Sequence, residues 1–260
     1  MRPLPMLRGA LAVALLAGAA GTALAQGTLR IGLSTPATGP AATASEWERW
    51  GVDLAVEEIN AAGGLLGRKV EIVMVDNRCS PSEGVNATNK LIQEKVVAIL
   101  GSHCSSAHLA AMPLIKDAKI PMITGVASSP KITEESGAGA NEYAFRINPS
   151  DQDMMVALTK YLGEKKIFRN VAVLAEDTDF GRGGVNSFEP LAKAAGINII
   201  SKDFHPQNLP DYTTILTRIR QSRPDAIALF QLGGDQINFL RNAMQLGIRI
   251  PYTGRAELGG

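Results

Sequence analysis

The sequence predicts an α/β fold made of two doubly wound lobes. Short β-branched runs alternate along the chain with amphipathic helical stretches, an order typical of parallel strands joined by helices. The strands are nearly continuous apolar runs, as expected where helices cover both faces of a parallel sheet. The series begins again after Asn148-Pro149-Ser150, which combines a turn with a helix start. Together these observations predict two similar lobes with a cleft between them.

The first lobe is predicted over residues 26–148. Its strands are expected at residues 29–33, 70–75, 96–100, 121–123 and 143–147. Its helices are expected at residues 47–61, 82–94 and 106–118. In the first helix Trp50, Leu54 and Ile59 recur at helical spacing, which places them on one face.

The second lobe is predicted over residues 149–254. Its strands are expected at residues 171–175, 197–201, 226–230 and 250–253. Its helices are expected at residues 152–165, 184–195, 212–221 and 236–246. Residues 255–260 are expected to begin a second crossover between the lobes. A cleft between two such domains is a common place for a ligand.

The first 25 residues have the pattern of a signal peptide. Arg2 and Arg8 precede or flank an apolar run at residues 11–20, and Ala23-Leu24-Ala25 provides the small-x-small pattern of a cleavage site. The apolar run is too short, and too rich in alanine and glycine, for a convincing membrane span. We therefore expect an exported, periplasmic protein.

Charge and motifs disfavour nucleic-acid binding and catalysis. The net charge of +1 provides no basic footprint for a nucleic acid. The chain has no Gly-x-Ser-x-Gly elbow and no Walker loop, and Gly137-x-Gly139 lacks the third glycine of a dinucleotide fingerprint. His103, Cys104 and His108 would suit a metal or a Cys–His pair only if the cysteine were reduced. We therefore predict no catalytic residue, no metal and no cofactor.

Cys79 and Cys104 are the two cysteines of the chain. An even pair in an exported protein favours a disulfide over a reactive thiol. A bridge that closes this loop is expected to stabilise the fold by about 3–4 kcal/mol.

Three loops rich in small residues follow predicted strands of the first lobe, at residues 34–40, 101–106 and 124–130. In open α/β sheets, ligands bind beyond the carboxyl ends of the strands. Ser105 and Ser106 precede a predicted helix, so one of them is expected to cap it while free amides face a carboxylate. The alternative is that these serines only cap and turn.

Polar residues in the second lobe carry weaker signals. Glu176 and Asp177 follow a predicted strand and could bind a cation, although acids at such positions more often cap helices or meet water. His205 lies among polar residues, so we expect it to be exposed to solvent.

Several segments carry a resemblance to a known family. They are residues 31–40, 51–67, 75–81, 101–106 and 180–183, with Thr38-Gly39-Pro40 in the first and Glu58-Ile59-Asn60-Ala61-Ala62-Gly63-Gly64 in the second. Over residues 28–253 the chain resembles the periplasmic leucine/isoleucine/valine-binding proteins, class I solute receptors of ABC importers. The resemblance implies two Rossmann-like lobes joined by three crossovers, which close on a ligand, and a disulfide between Cys79 and Cys104.

The resemblance also implies which first-lobe residues contact the ligand. Ser105, and Ser106 beside it, match the serine and backbone groups that hold a ligand carboxylate after the third strand. In the loop after the fourth strand, Val126 matches a carbonyl contact and Ser128 a hydroxyl contact, with Ala127 between them.

In the second lobe the chain departs from the family pattern at three places. Phe180 stands where the family has a tyrosine, so the hydroxyl is missing. Leu232-Gly233-Gly234 replaces an aromatic contact, and Glu257, the nearest match to the acid that holds an ammonium group, comes one place late. Family members are also longer, so the resemblance implies a C-terminally truncated copy.

These observations predict a periplasmic receptor that captures a small polar ligand for an ABC importer. The expected ligand is a branched-chain or other amino acid, or a related carboxylate. Its expected partners are that ligand and the membrane subunits of the importer, with no nucleic acid. A ligand-sensing module of the same fold, a periplasmic enzyme and a nonfunctional truncated copy are the alternatives.

Overall fold

The computed structural model describes residues 27–255, so the predicted signal peptide and Glu257 lie outside the described residues. The described chain contains two parallel sheets with helices between successive strands, which confirms the predicted α/β fold class. Within residues 27–255 no helix combines the length and the apolar character needed to cross a bilayer.

The first sheet has five parallel strands in the order β2-β1-β3-β4-β5. The strands are β1 (Leu29–Thr35), β2 (Val70–Asp76), β3 (Ala98–Gly101), β4 (Met122–Thr124) and β5 (Ala144–Arg146). The helices are α1 (Ala42–Ala61), α2 (Pro81–Gln93), α3 (Ser105–Ala118) and α4 (Pro130–Glu134).

The second sheet repeats this arrangement with four parallel strands in the order β7-β6-β8-β9. The strands are β6 (Asn170–Glu176), β7 (Asn198–His205), β8 (Ala226–Phe230) and β9 (Tyr252–Arg255). The helices are α5 (Asp151–Lys165), α6 (Asp179–Ala194), α7 (Thr213–Ser222) and α8 (Gly233–Gln245). In each sheet the first strand in sequence lies between the second and the third, so successive connections run to opposite sides of it. Ligands of doubly wound folds bind at this topological switch point.

The sequence located every strand but misplaced several boundaries. The short helix α4 was not predicted, because five residues carry too little periodicity to show a helix. Helix α6 begins at Asp179 rather than at residue 184, because the Thr178 hydroxyl caps it by accepting from the Gly181 N–H. Strand β7 continues four residues past its predicted end and reaches His205.

The two sheets are covered differently. In the second lobe, α5 and α6 cover one face and α7 and α8 cover the other, each over its own buried apolar cluster. In the first lobe, one buried cluster lies beneath α2 and α3. On the other face α1 has Ser45 as its buried residue, and β2 is only partly covered. The expectation of two covered faces is therefore right for the central strands β6 and β8 and wrong for the edge strands β2 and β7.

Candidate functional site

The carboxyl ends of both sheets meet at a cleft. At its centre lies a cavity of about 20 Å³, lined by residues of both lobes. A wider opening of about 950 Å³ lies between α1 and α8, and another of about 590 Å³ lies beside the end of β7. The predicted contacts that line the central cavity are Ser105, Ser106, Val126, Ala127, Ser128 and Phe180. The structure thus brings together six of the seven predicted contacts, while Glu257 lies outside the described residues.

Ser105 joins two of the predicted ligand loops. It is the first residue of α3, and its Oγ accepts hydrogen bonds from the N–H groups of Ser128 and Ser129 at 3.2 and 3.1 Å. The expectation that a serine caps this helix is wrong, because Cys104 is the N-cap residue and no side chain caps α3. First-turn N–H groups have no acceptor within their own helix, so α3 begins at the cleft with donors for an anion.

Ser106 connects the two lobes. Its Oγ accepts a hydrogen bond from the N–H of Asp179, the first residue of α6, at 3.0 Å. On the other side of the cleft, the Gly234 N–H donates to the Pro40 carbonyl at 3.2 Å. A Cβ on Gly234 would lie 2.9 Å from that oxygen, so a larger residue there would push the lobes apart.

The loop after β4 is held by a residue that the sequence analysis did not single out. The Thr124 Oγ1 accepts from the N–H groups of Val126 and Ala127 at 3.2 and 3.0 Å, and donates to the Ser102 carbonyl at 2.9 Å. Asn148, in the crossover between the lobes, donates to the carbonyls of Val126 and Ala127. The crossover and the predicted ligand loop are therefore tied together.

Arg255, at the end of β9, is a cleft residue that sequence reasoning missed. Its Nη2 lies 3.4 Å from the Ser128 Oγ, and its guanidinium carbon lies 5.7 Å from the centroid of the Phe180 ring. Its Nε lies 3.2 Å from an oxygen of Asp151, whose side chain is fully buried. Burial raises the pKa of Asp151, and the positive charge of Arg255 opposes that shift. Its position in the sequence could have identified it, because Arg255 comes just after the end of a predicted strand, and ligands bind beyond the carboxyl ends of the strands.

The predicted disulfide is confirmed, and it forms part of the cavity wall. Cys79 and Cys104 are bonded, with their Cα atoms 5.3 Å apart. Together with Phe180 and Leu232 they belong to a buried apolar cluster that spans both lobes. Leu232 was noted as a departure from an aromatic position, and here it supplies apolar surface to the cavity.

A buried polar cluster lies at the carboxyl ends of β6 and β8. Glu176 accepts hydrogen bonds from the Leu232 N–H at 2.6 Å and from the Gln207 amide at 3.2 Å. Burial raises the pKa of Glu176 to about 8, and the nearby charge of Asp235 also raises it. The expectation that acids here cap a helix or meet water is wrong for Glu176, which is completely buried.

His205 was expected to be exposed, and it is buried. Its Nε2 lies 2.6 Å from the Gln231 amide nitrogen, and its ring packs edge-on against Tyr212. The Tyr212 hydroxyl donates to Asp235 at 3.0 Å. The neighbouring polar residues in the sequence suggested a loop, but His205 is the last residue of β7. At the end of this strand it contacts Gln231 and Tyr212.

The two histidines near Cys104 differ, since the His108 ring contacts the backbone of β3 whereas His103 lines the central cavity. Among residues 27–255 no group of three His, Cys, Asp or Glu side chains is placed to hold a metal ion. The buried His108 ring lies 3.2 Å from the Gly101 carbonyl, and burial lowers its pKa to about 4. His103 lies 3.5 Å from Glu48, and Cys104 is oxidised.

Comparison with known proteins gives consistent results. A family model described as periplasmic binding protein matches residues 28–255. The leucine-, isoleucine-, valine-, threonine- and alanine-binding protein of Pseudomonas aeruginosa is 27% identical over 244 residues, which cover 94% of this chain and 64% of that protein. The chain therefore spans less than two thirds of the length of this relative.

Two solved structures share the fold. A branched-chain amino acid substrate-binding protein of Streptococcus pneumoniae, in complex with isoleucine, has a TM-score of 0.77 and 27% identity, covering 86% of this chain and 63% of that chain. A solute-binding protein of Rhodopseudomonas palustris, in complex with 3,4-dihydroxybenzoic acid, has a TM-score of 0.75 and 26% identity, covering 85% of this chain and 59% of that chain. With the family model matching nearly all of the described chain, this protein belongs to the class I periplasmic binding protein family.

Proposed function

We propose that this protein is a solute-binding receptor that captures a small carboxylate-bearing ligand and delivers it to the membrane subunits of an ABC importer. The observation that carries the proposal is the cleft, where serine-rich loops of the first lobe and the ends of β6, β8 and β9 together line a central cavity flanked by two wider openings. The similarity to receptors for amino acids and for an aromatic acid supports this ligand class.

The proposed ligand contacts divide between the lobes. The ligand carboxylate meets the first turn of α3 and the hydroxyls of Ser106 and Ser128, where N–H and O–H donors converge. The carbonyl of Val126, and the backbone of Ala127 beside it, border the same space. Phe180 and Leu232 cover the apolar part of the ligand. The ammonium contact predicted for Glu257 lies outside the described residues, and the receptor function proposed here does not depend on it.

The proposed mechanism is closure of two lobes about the crossover near Asn148. We place the lobes at residues 26–148 and 149–254. Ser150 and Asp153 form a capping box that fixes the start of α5 directly after this crossover. The hydrogen bonds from Asp179 to Ser106 and from Gly234 to Pro40 then stabilise the closed arrangement.

We further propose that the protein acts in the periplasm and has no catalytic activity of its own. The predicted signal peptide and the disulfide support export, because disulfides persist in oxidising compartments. The buried titratable groups support a binding role. His108 contacts the backbone of β3, and Glu176 bonds to the backbone of Leu232, so neither is presented to the cavity as a base.

The test is ligand titration of the purified chain by calorimetry, with small-angle scattering to follow closure. We expect a small carboxylate or amino acid to bind and to compact the protein, and Ser128→Ala to weaken binding about tenfold, since a hydrogen bond to a charged group is lost. Ser222→Ala, at the end of α7 away from the cleft, is the matched control. Equal affinity in the Ser128 and Ser222 variants would contradict the assignment of the cleft as the binding site.

A further inference from the structure

Two guanidinium groups converge on Ser128, in the loop after β4. Arg146 donates to the carbonyls of Ser128 and Ser129 at 3.2 and 3.0 Å from one side. Arg255 approaches the Ser128 hydroxyl from the second lobe, at 3.4 Å. Arg255 lines both the central cavity and the wide opening beside it, whereas Arg146 lines neither. The positive charge that a ligand in the cavity meets is therefore that of Arg255.

No acidic side chain of residues 27–255 lines the central cavity. Glu48, on the wide opening, already accepts a hydrogen bond from Thr35 at 2.8 Å and lies 3.5 Å from His103. On the other opening, Asp177 is paired with Arg182, and Asp179 is the first residue of α6, where the positive end of the helix dipole offsets its charge. Within the central cavity, an ammonium group would lose its hydration without finding an anionic partner among the lining residues of 27–255, and burying an unpaired charge is costly.

Asp151 compensates the positive charge of Arg255 when no ligand is bound. Its carboxylate is fully buried and lies 3.2 Å from the Arg255 Nε, so it competes with a ligand anion for the same guanidinium. An arginine presents five N–H donors in a planar fork, which lets it contact two carboxylates at once. Asp151 is a positioning residue that moderates the attraction of Arg255 for an anion.

We propose, resting on the receptor function above, that Arg255 determines specificity and that the cleft selects carboxylates that carry no α-ammonium group. The apolar wall of Phe180, Leu232 and the disulfide then receives the rest of the molecule. Among ligands of the same shape, the acid without the amino group binds tighter than the amino acid.

The experiment is calorimetric titration of the full chain with two matched sets of probes. One set is leucine, 4-methylpentanoate and 3-methylbutylamine, and the other is phenylalanine, 3-phenylpropanoate and 2-phenylethylamine. We expect at least one of the two acids to bind about tenfold or more tighter than its amino acid, and neither amine to bind. Tighter or equal binding of the amino acids would overturn the inference while leaving the receptor function intact. Binding of no acid and no amino acid would overturn the receptor function itself.

Variants assign the effect to Arg255. Arg255→Gln is expected to weaken binding of the acids about tenfold or more, and Asp151→Asn to strengthen it, because the guanidinium then faces the ligand alone. A purely structural role for Asp151 would not produce tighter binding. Arg218→Gln, which removes an exposed cation on α7, is the matched control.

Arg255→Gln leaves Asp151 buried without a partner and can fail to fold. The comparison of Asp151→Asn with the double variant Asp151→Asn/Arg255→Gln avoids this problem, because neither protein contains the fully buried Asp151 carboxylate, and Arg255 is partly exposed to solvent. Equal affinity of these two proteins for the acids would overturn the role of Arg255. Glu257→Gln completes the set, since a loss of amino-acid binding in that variant would assign ammonium recognition to Glu257 and contradict the proposal.

Discussion

The two lobes have the same strand order but differ in how their sheets are buried. All five residues of β8 are buried, because helices cover both faces of the second sheet. In β3, which occupies the matching position in the first sheet, Ala98 and Leu100 are only partly buried, and in the edge strand β2 Met74 is 42% exposed. The first lobe instead carries the disulfide and most of the predicted ligand loops. The comparison indicates that helices cover the central strands of the second sheet more completely, while most of the predicted ligand contacts lie in loops of the first lobe.

The largest expected effect comes from removing a core side chain of the second lobe. Leu229→Ala, at a completely buried position of β8, is expected to lower the free energy of unfolding by about 2–5 kcal/mol. Met74→Ala, on the more exposed face of β2, is expected to cost less than about 1 kcal/mol, because Met74 is 42% exposed and leaves no enclosed cavity when it is shortened. Urea unfolding of both variants measures the difference, and equal losses would contradict the unequal burial of the two sheets.

The next prediction concerns the acidic side chain at the carboxyl end of one strand in each sheet, Glu176 of β6 and Asp76 of β2. Burial raises the pKa of Glu176, at the end of β6, to about 8, above the value of an unfolded chain. Its protonated form therefore favours the folded state, and stability falls as the pH rises from about 4.5 to about 8, with no further loss above that. Glu176→Gln, which cannot ionise, is expected to remove about 1–3 kcal/mol of this loss. Melting temperatures of the wild type and the variant between pH 5 and pH 9 provide the measurement.

Asp76 of the first lobe is the matched control. Burial acts to raise its pKa, but the Thr38 hydroxyl and the N–H groups of Arg78 and Ala37 outweigh burial and lower it. A lowered pKa makes the ionised form favour folding, so its contribution is present above the unfolded pKa and is lost as the pH falls. Asp76→Asn is therefore expected to destabilise the protein near neutral pH, opposite in sign to Glu176→Gln. If both variants changed the stability near neutral pH in the same direction, the proposed difference between the pKa shifts of Asp76 and Glu176 would be contradicted.

The sequence predicted the architecture well because apolar runs of parallel strands are local signals. It also identified the loops at the carboxyl ends of the first sheet, since their glycines and serines are contiguous in the chain. It failed where function depends on distant partners. Nothing near Arg255 in the sequence shows that Asp151 will lie beside it, and the polar surroundings of His205 suggested exposure rather than a buried contact with Gln231.

The smallest effect is expected on the outer face of α1, and it tests whether this face of the first lobe is exposed to solvent. Trp50 is 62% exposed and Leu54 is 58% exposed, one turn apart on the helix. Because these side chains bury little surface, Trp50→Gln is expected to change the free energy of unfolding by less than about 0.5 kcal/mol and to leave ligand affinity unchanged. Replacing the fully buried Phe239 by leucine, on α8 of the second lobe, is the contrasting variant and is expected to be clearly destabilising. A loss of more than about 1 kcal/mol in Trp50→Gln would mean that Trp50 is packed against other residues in solution. The contrast between a solvent-exposed face of the first lobe and the covered faces of the second would then fail at α1.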